Sequence, residues 1–138
     1  MVRTAPPLVV LAMGAAASCG GGSDAVVGQG PATTTIVEVQ AAVFTPRCAL
    51  SGCHVGTSAP FGLVLSSAGA SASSLVGVPA GEKPTLDRVA PSDAANSYLY
   101  WKLSGNPNIG GEQMPLTGGP LSDSDLALVA SWINGGAK

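Results

Sequence analysis

Between positions 48 and 54 the sequence reads Cys48-Ala49-Leu50-Ser51-Gly52-Cys53-His54. Two thiols and an imidazole this close together are soft and borderline donors that hold a metal or a prosthetic group, close a disulfide, or supply a nucleophile. The rest of the chain offers little competing chemistry. Only 10% of its 138 residues are charged, His54 is its single histidine, and it has three cysteines and three methionines.

The first segment removes several of these from consideration. Arg3 precedes the apolar run Leu8-Val9-Val10-Leu11-Ala12-Met13, which passes into Gly14, Ala15, Ala16, Ala17, Ser18 and Cys19. That order predicts a secretory signal peptide, and the run is too short for a stable membrane-spanning helix. Ala15-Ala16-Ala17 fits simple cleavage of the A-x-A kind. Ala16-Ala17-Ser18-Cys19 resembles a lipoprotein box, with Ala16 where leucine is usual and Cys19 as the lipidated first residue. Gly20-Gly21-Gly22-Ser23 and the small residues up to Gly30-Pro31 form a flexible tether and favour lipidation. The expected organisation is a signal peptide over 1–18, a tether over 19–33 and one domain over 34–138. Met1 and Met13 leave with the signal and Cys19 belongs to the anchor. The domain is left with Cys48, Cys53, His54 and Met114.

Four chemistries compete for this set. A closed zinc site needs four ligands and finds no third cysteine or second histidine in the domain. A Cys48-Cys53 disulfide suits an exported protein, but it closes a loop too small to restrict the unfolded chain much and leaves His54 without a role. A catalytic cysteine lacks an orienting partner for its base, and export favours oxidation of the pair. A covalently bound haem uses every residue: two thiols add to the vinyl groups, and the histidine after the second cysteine binds the iron. The usual C-x-x-C-H spacing is widened here to four intervening residues, and Ser51 and Gly52 are small enough for the surplus to bulge outward. Met114, sixty positions beyond His54, is the candidate for the second axial position.

Helical patterns are expected to position these residues. Thr35 and Glu38 form a capping box ahead of Ile36, Val39, Val43 and Phe44, and Pro46 should end that helix just before Cys48. A short helix is expected from Ser66 or Ser67 to Val76, and turns and loop from Gly77 to Pro91. A third helix should start at Ser92 or Asp93, carry Ala95, Tyr98, Leu99 and Leu103 on its apolar side, and stop at Gly105. An irregular loop, 106–120, holds Met114 between Gly110-Gly111 and Gly118-Gly119. The last helix is capped by Ser122, stapled by Leu121 and Leu126, striped with Leu126, Val129, Ala130 and Ile133, and stopped by Gly135. These elements predict an all-α domain of about four short helices. The pocket is expected to be lined by Phe61, Leu63, Leu65, Val76, Val89, Leu99, Leu103 and Leu116, with Pro60 offering a carbonyl to His54 and Arg88 or Lys83 meeting the haem propionates.

The Cys48-to-His54 stretch, Ser97-Tyr98-Leu99 with Lys102-Leu103, Gln113-Met114-Pro115-Leu116, and the ending from Leu121-Ser122-Asp123 to Trp132-Ile133-Asn134-Gly135-Gly136-Ala137 resemble a mono-haem bacterial cytochrome c domain. The likeness is to envelope lipoproteins of planctomycete and myxobacterial type with widened haem-attachment spacing, and it covers about residues 34–137. It implies Cys48 and Cys53 as thioether attachments of one haem c, His54 as proximal ligand and Met114 as distal ligand. It also implies that the helix starting at Thr35 packs across the one ending near Asn134. The implied function is electron transfer with redox protein partners, without catalysis, by a protein lipid-anchored in the cell envelope. Six scattered Lys and Arg give no basic stripe for nucleic acid. The rival readings are a haemless envelope scaffold or binding module with a Cys48-Cys53 disulfide, and a relay subunit of an oxidoreductase.

Overall fold

The computed structural model describes residues 33–138. The signal peptide, Cys19 and the tether up to residue 32 lie outside the described residues.

The Thr35 box forms as expected. Glu38 N–H donates to Thr35 Oγ1 at 3.4 Å, and Thr35 N–H donates to Glu38 Oε2 at 2.7 Å, so two of the donors left unpaired at a helix start are satisfied. Helix α1, Ile36–Val39, continues through a π-helical segment, Gln40–Phe44, into α2, Thr45–Arg47. Pro46 therefore lies inside the rod and does not end it. Thr45 N–H bonds Gln40 O across the wide π turn, and Pro46 falls in the first turn of α2, where its missing N–H is not called on. The rod stops at Cys48, where Cys48 N–H and Ala49 N–H both donate to Phe44 O, at 2.9 and 2.7 Å.

Helix α3, Ala68–Leu75, is capped by Ser67. The third expected helix is broken in two. A 3-10 turn, Ala94–Asn96, is capped by Asp93, and α4, Tyr98–Ser104, begins after an extended Ser97. Ser97 is fully buried, with Oγ accepting from Ala90 N–H and donating to Asp93 O. The N–H groups of Tyr98 and Leu99 pair with Asp87 O and Arg88 O instead of continuing the turn. Helix α5, Asp123–Asn134, has Ser122 as its cap and ends at Gly135. No helix among the described residues is long and apolar enough to cross a membrane.

The all-α expectation is overturned between α3 and α4. The domain is mixed, with helices beside a small two-strand antiparallel sheet. Segments 78–80 and 86–88 pair through Ala80 N–H to Leu86 O at 2.9 Å and Arg88 N–H to Val78 O at 2.7 Å, around an antiparallel Pro79–Asp87 bridge. A parallel bridge joins Val76 to Val89. Gly77, Pro79, Gly81 and Pro84 prevent helix here, and the freed backbone groups have to find partners in one another.

Phe44 and Trp132 lock the rod to α5, as the resemblance implied. Both are fully buried and meet edge to face, centroids 6.3 Å apart and rings inclined at 84°. Such a pair contributes about 1 kcal/mol beyond its area burial. Val39, Val43, Val129 and Ile133 complete the seam, and Ile36 N–H and Trp132 Nε1–H both donate to Lys138 O at 3.0 Å.

Thr35→Ala is expected to lower stability by about 1 kcal/mol, measured by urea denaturation at neutral pH. The bonds from Thr35 hold the Glu38 carboxyl below its ordinary range. The stability it contributes is therefore full above the ordinary carboxylate value and is lost as pH falls through the lowered folded value. Glu38→Gln should flatten that part of the acid limb; an unchanged pH profile would mean that the box does not form in solution.

Candidate functional site

The chain between the two cysteines is shaped by local bonds. Cys53 N–H donates to Leu50 O at 2.9 Å, making a tight turn, and His54 N–H donates back to Cys48 O at 3.2 Å. Gly52 lies in this turn at φ +79°, a conformation costly for other residues, and residues 50–52 are exposed. Cys48 is buried and Cys53 partly so, and their sulfurs are not joined.

Segment 63–65 fixes the imidazole. Leu65 N–H donates to His54 O at 2.8 Å, and His54 Nδ1 lies 3.1 Å from Leu63 O. A carbonyl only accepts, so the proton resides on Nδ1 and the lone pair on Nε2. Leu63 thus takes the role expected of Pro60: Pro60–Gly62 is a 3-10 turn that puts the carbonyl three residues later beside the ring. Burial pushes His54 below the ordinary imidazole value. The Leu63 bond opposes this, and the charges of Arg88 and Lys102 add to it. The ring is neutral at pH 7 and so is a competent ligand.

Met114 arrives through the unpaired end of α4. The last carbonyls of a helix lack partners within it, and here Met114 N–H takes Lys102 O at 2.8 Å while Gln113 Nε2–H takes Leu103 O at 2.8 Å. The far end of the loop is held by Arg47, whose Nη2–H groups donate to Gly118 O at 3.1 Å and Gly119 O at 2.7 Å. Arg47 immediately precedes Cys48, so one side chain ties the methionine loop to the cysteine segment.

All four expected donors, Cys48, Cys53, His54 and Met114, line a single mostly apolar cavity of ≈ 200 Å³. Leu63, Leu65, Leu99 and Leu103 line it as expected, and Phe61 and Leu116 stand at its rim, 64% and 67% exposed. Val76 and Val89 do not line it. They pair with each other through the bridge, with Val89 in the core and Val76 packed against it, and Leu75 reaches the cavity instead. Lys83 lies over the Trp101 ring, 5.6 Å from its centroid, and not on the cavity wall. Arg88 is on the wall, but its guanidinium donates to Ser74 O and Phe61 O at 2.8 and 2.6 Å.

A polar network in the cavity wall went unnoticed in the sequence. Lys102 Nζ lies 3.0 Å from Glu82 Oε2 and donates to Gly110 O at 2.7 Å. Tyr98 OH donates to Glu82 Oε2 at 3.0 Å and accepts from Gly110 N–H at 2.8 Å. Every member is partnered, which is the condition for an ion pair to be tolerated in a half-buried wall. Glu82 and Lys102 stand twenty positions apart in elements of different type, and no local pattern joins them.

The donor set fits a c-type haem in its chemistry: two unjoined thiols, an imidazole with a bare Nε2, and a thioether on the same apolar wall. Among the described residues no three His, Cys, Asp or Glu side chains gather to hold a metal ion. Burial pushes the Cys48 thiol up to about 11, with Arg47 opposing and Cys53 adding. A buried thiol raised this far stays protonated at pH 7 and is a poor nucleophile. Iodoacetamide followed by peptide mass mapping should modify Cys53 well before Cys48; equal rates would contradict the burial of Cys48. No family model matches this sequence, and neither a curated protein nor a solved structure gives a significant match, so a functional reading rests on the site itself.

Proposed function

We propose that this domain carries one covalently attached haem c and transfers single electrons between redox proteins of the bacterial envelope, tethered there through lipidated Cys19. The observation that carries the reading is the meeting of Cys48, Cys53, His54 and Met114 on one apolar cavity. The reading rests on this donor chemistry and not on the fold, which is mixed.

Cys48 and Cys53 would hold the group covalently through their sulfurs. His54 would bind iron through Nε2, the nitrogen that Leu63 leaves free. Met114, whose loop is held by the end of α4 and by Arg47, would supply a thioether ligand from the same cavity. A haem in this setting supplies a one-electron iron couple, and a thioether ligand raises its reduction potential. Leu63, Leu65, Leu99 and Leu103 exclude water from the site and favour the less charged, reduced state. Ligands from both His54 and Met114 would leave oxygen or peroxide no place to bind, which favours a carrier over an enzyme.

Protein made with cytochrome maturation machinery should contain haem that survives acid–acetone extraction, seen in its mass and visible spectrum. Cys48→Ser and Cys53→Ser should each leave a single thioether. Met114→Ala should lose the sulfur-to-iron charge-transfer band, lower the midpoint potential and gain peroxidase activity. Wild-type protein emerging at its haem-free mass would overturn the proposal, and an unchanged spectrum in Met114→Ala would remove the methionine from the ligand set.

A further inference from the structure

Gln40 is a buried polar side chain, 7% exposed, that does not line the cavity. Its amide is nevertheless fully engaged. Nε2–H donates to Leu65 O at 2.8 Å and to Thr45 Oγ1 at 3.1 Å, and Oε1 accepts from Ser71 Oγ–H at 2.6 Å. Leu65 N–H in turn donates to His54 O, and Leu63 O, two residues earlier, holds His54 Nδ1. Val64 N–H, between them, reaches Ser74 Oγ on α3 at 3.4 Å. Segment 63–65 is thus bonded at once to His54, to Gln40 and to α3.

The π turn is what allows this. In a regular α-helix, residues five apart are rotated by about 140° around the axis and their side chains do not meet. Within the segment Gln40–Phe44 the pattern widens, so Thr45 N–H bonds Gln40 O and the two side chains also bond. Gln40 is directed inward together with Val39, Val43 and Phe44, all buried. Such single π turns cost helix regularity and recur where a side chain has a task. Here the task is visible in the bonds: the rod reaches Leu65 through one amide.

We infer that Gln40 is a positioning residue for His54, acting through segment 63–65 to keep the imidazole proton on Nδ1 and the Nε2 lone pair free. This deepens the haem reading and depends on it for its functional consequence. A ligand whose tautomer and orientation are held by a bonded carbonyl binds iron more strongly and with less rearrangement between oxidation states. Leu63 O holds the ring, Gln40 holds Leu65 O two residues further on, and Ser71 orients the Gln40 amide.

The test uses the full chain, as purified after expression with the maturation machinery and in the reduced, diamagnetic state, with its histidine labelled with nitrogen-15. His54 is the only histidine, so the signal reports one ring. The readout is the exchange rate of the Nδ1 proton with solvent, set against the backbone amide of Trp132 in α5. Gln40→Met keeps the volume but removes all three bonds of the amide; Ser71 Oγ–H then turns to a carbonyl of its own helix, which limits the damage. Nδ1 exchange should accelerate about tenfold, the change that about 1.4 kcal/mol produces, while the Trp132 amide is unchanged. Ser71→Ala loosens the amide without removing it and should accelerate exchange about threefold, or about 0.6 kcal/mol. If Gln40→Met fails to fold, Ser71→Ala decides alone. Unchanged Nδ1 exchange, or equal acceleration at Trp132, overturns the inference. The labelled ring is read whether or not haem is attached, so a chain without haem would refute the electron-transfer reading and still leave the role of Gln40 decided by the exchange rates.

Discussion

Phe44 against Trp132 is the contact from which the rest of the site takes its position. The chain has only two Phe, two Trp and two Tyr, so few side chains are large enough to fix one element against another. These two are fully buried and interlocked edge to face, and they fix the rod from Ile36 to Arg47 against α5. The rod ends one turn past Phe44, whose own carbonyl caps Cys48 and Ala49. The first thiol is placed by the same residue that anchors the helix. A shift of the rod by one turn would move Cys48 by about 5.4 Å relative to the rest of the cavity.

Around that fixed point the site is assembled from loops, each pinned by groups that would otherwise be unpaired. The last carbonyls of α4 take Met114 N–H and the Gln113 amide, Arg47 takes Gly118 O and Gly119 O, and Leu63 O takes the imidazole. Backbone polar groups in a poorly filled interior carry a large penalty when unpaired, so satisfying them also selects one arrangement of the loops. No buried side-chain nitrogen or oxygen among the described residues lacks a partner. The same rule explains the small sheet. Glycines and prolines denied segment 76–93 a helix, and pairing across 78–80 and 86–88 was the remaining way to satisfy its backbone.

Local signals were read well wherever cause and effect lay within one turn. The Thr35–Glu38 box, the Ser122 cap, the Gly105 stop after α4 and the apolar stripe of α5 all involve residues a few positions apart, and of the two serines offered for α3 the structure uses Ser67. The misreadings share the opposite property. Pro46 reads as a stop in the sequence because the π turn before it pairs Gln40 with Leu65 and Ser71, 25 and 31 positions away. Ser97 interrupts a promising helix because Asp87 and Arg88 capture the next two N–H groups. Val76 and Val89 were placed in the pocket because an apolar residue in a loop does not reveal which side of a backbone bridge it will occupy.

The sequence by itself determined the chemistry available: a domain with one pair of thiols, one imidazole and one thioether, and helix ends written in their capping residues. These follow from residue type and from bonds closed within a few positions, where chain entropy leaves little choice. Only the tertiary structure decided that Met114 shares a cavity with His54 across sixty positions, that Leu63 rather than Pro60 bonds the ring, and that Gln40 stands behind it. Such pairings are selected by burial. A polar group removed from water accepts whichever partner the packing brings near, and that partner's distance along the chain leaves no trace in local pattern.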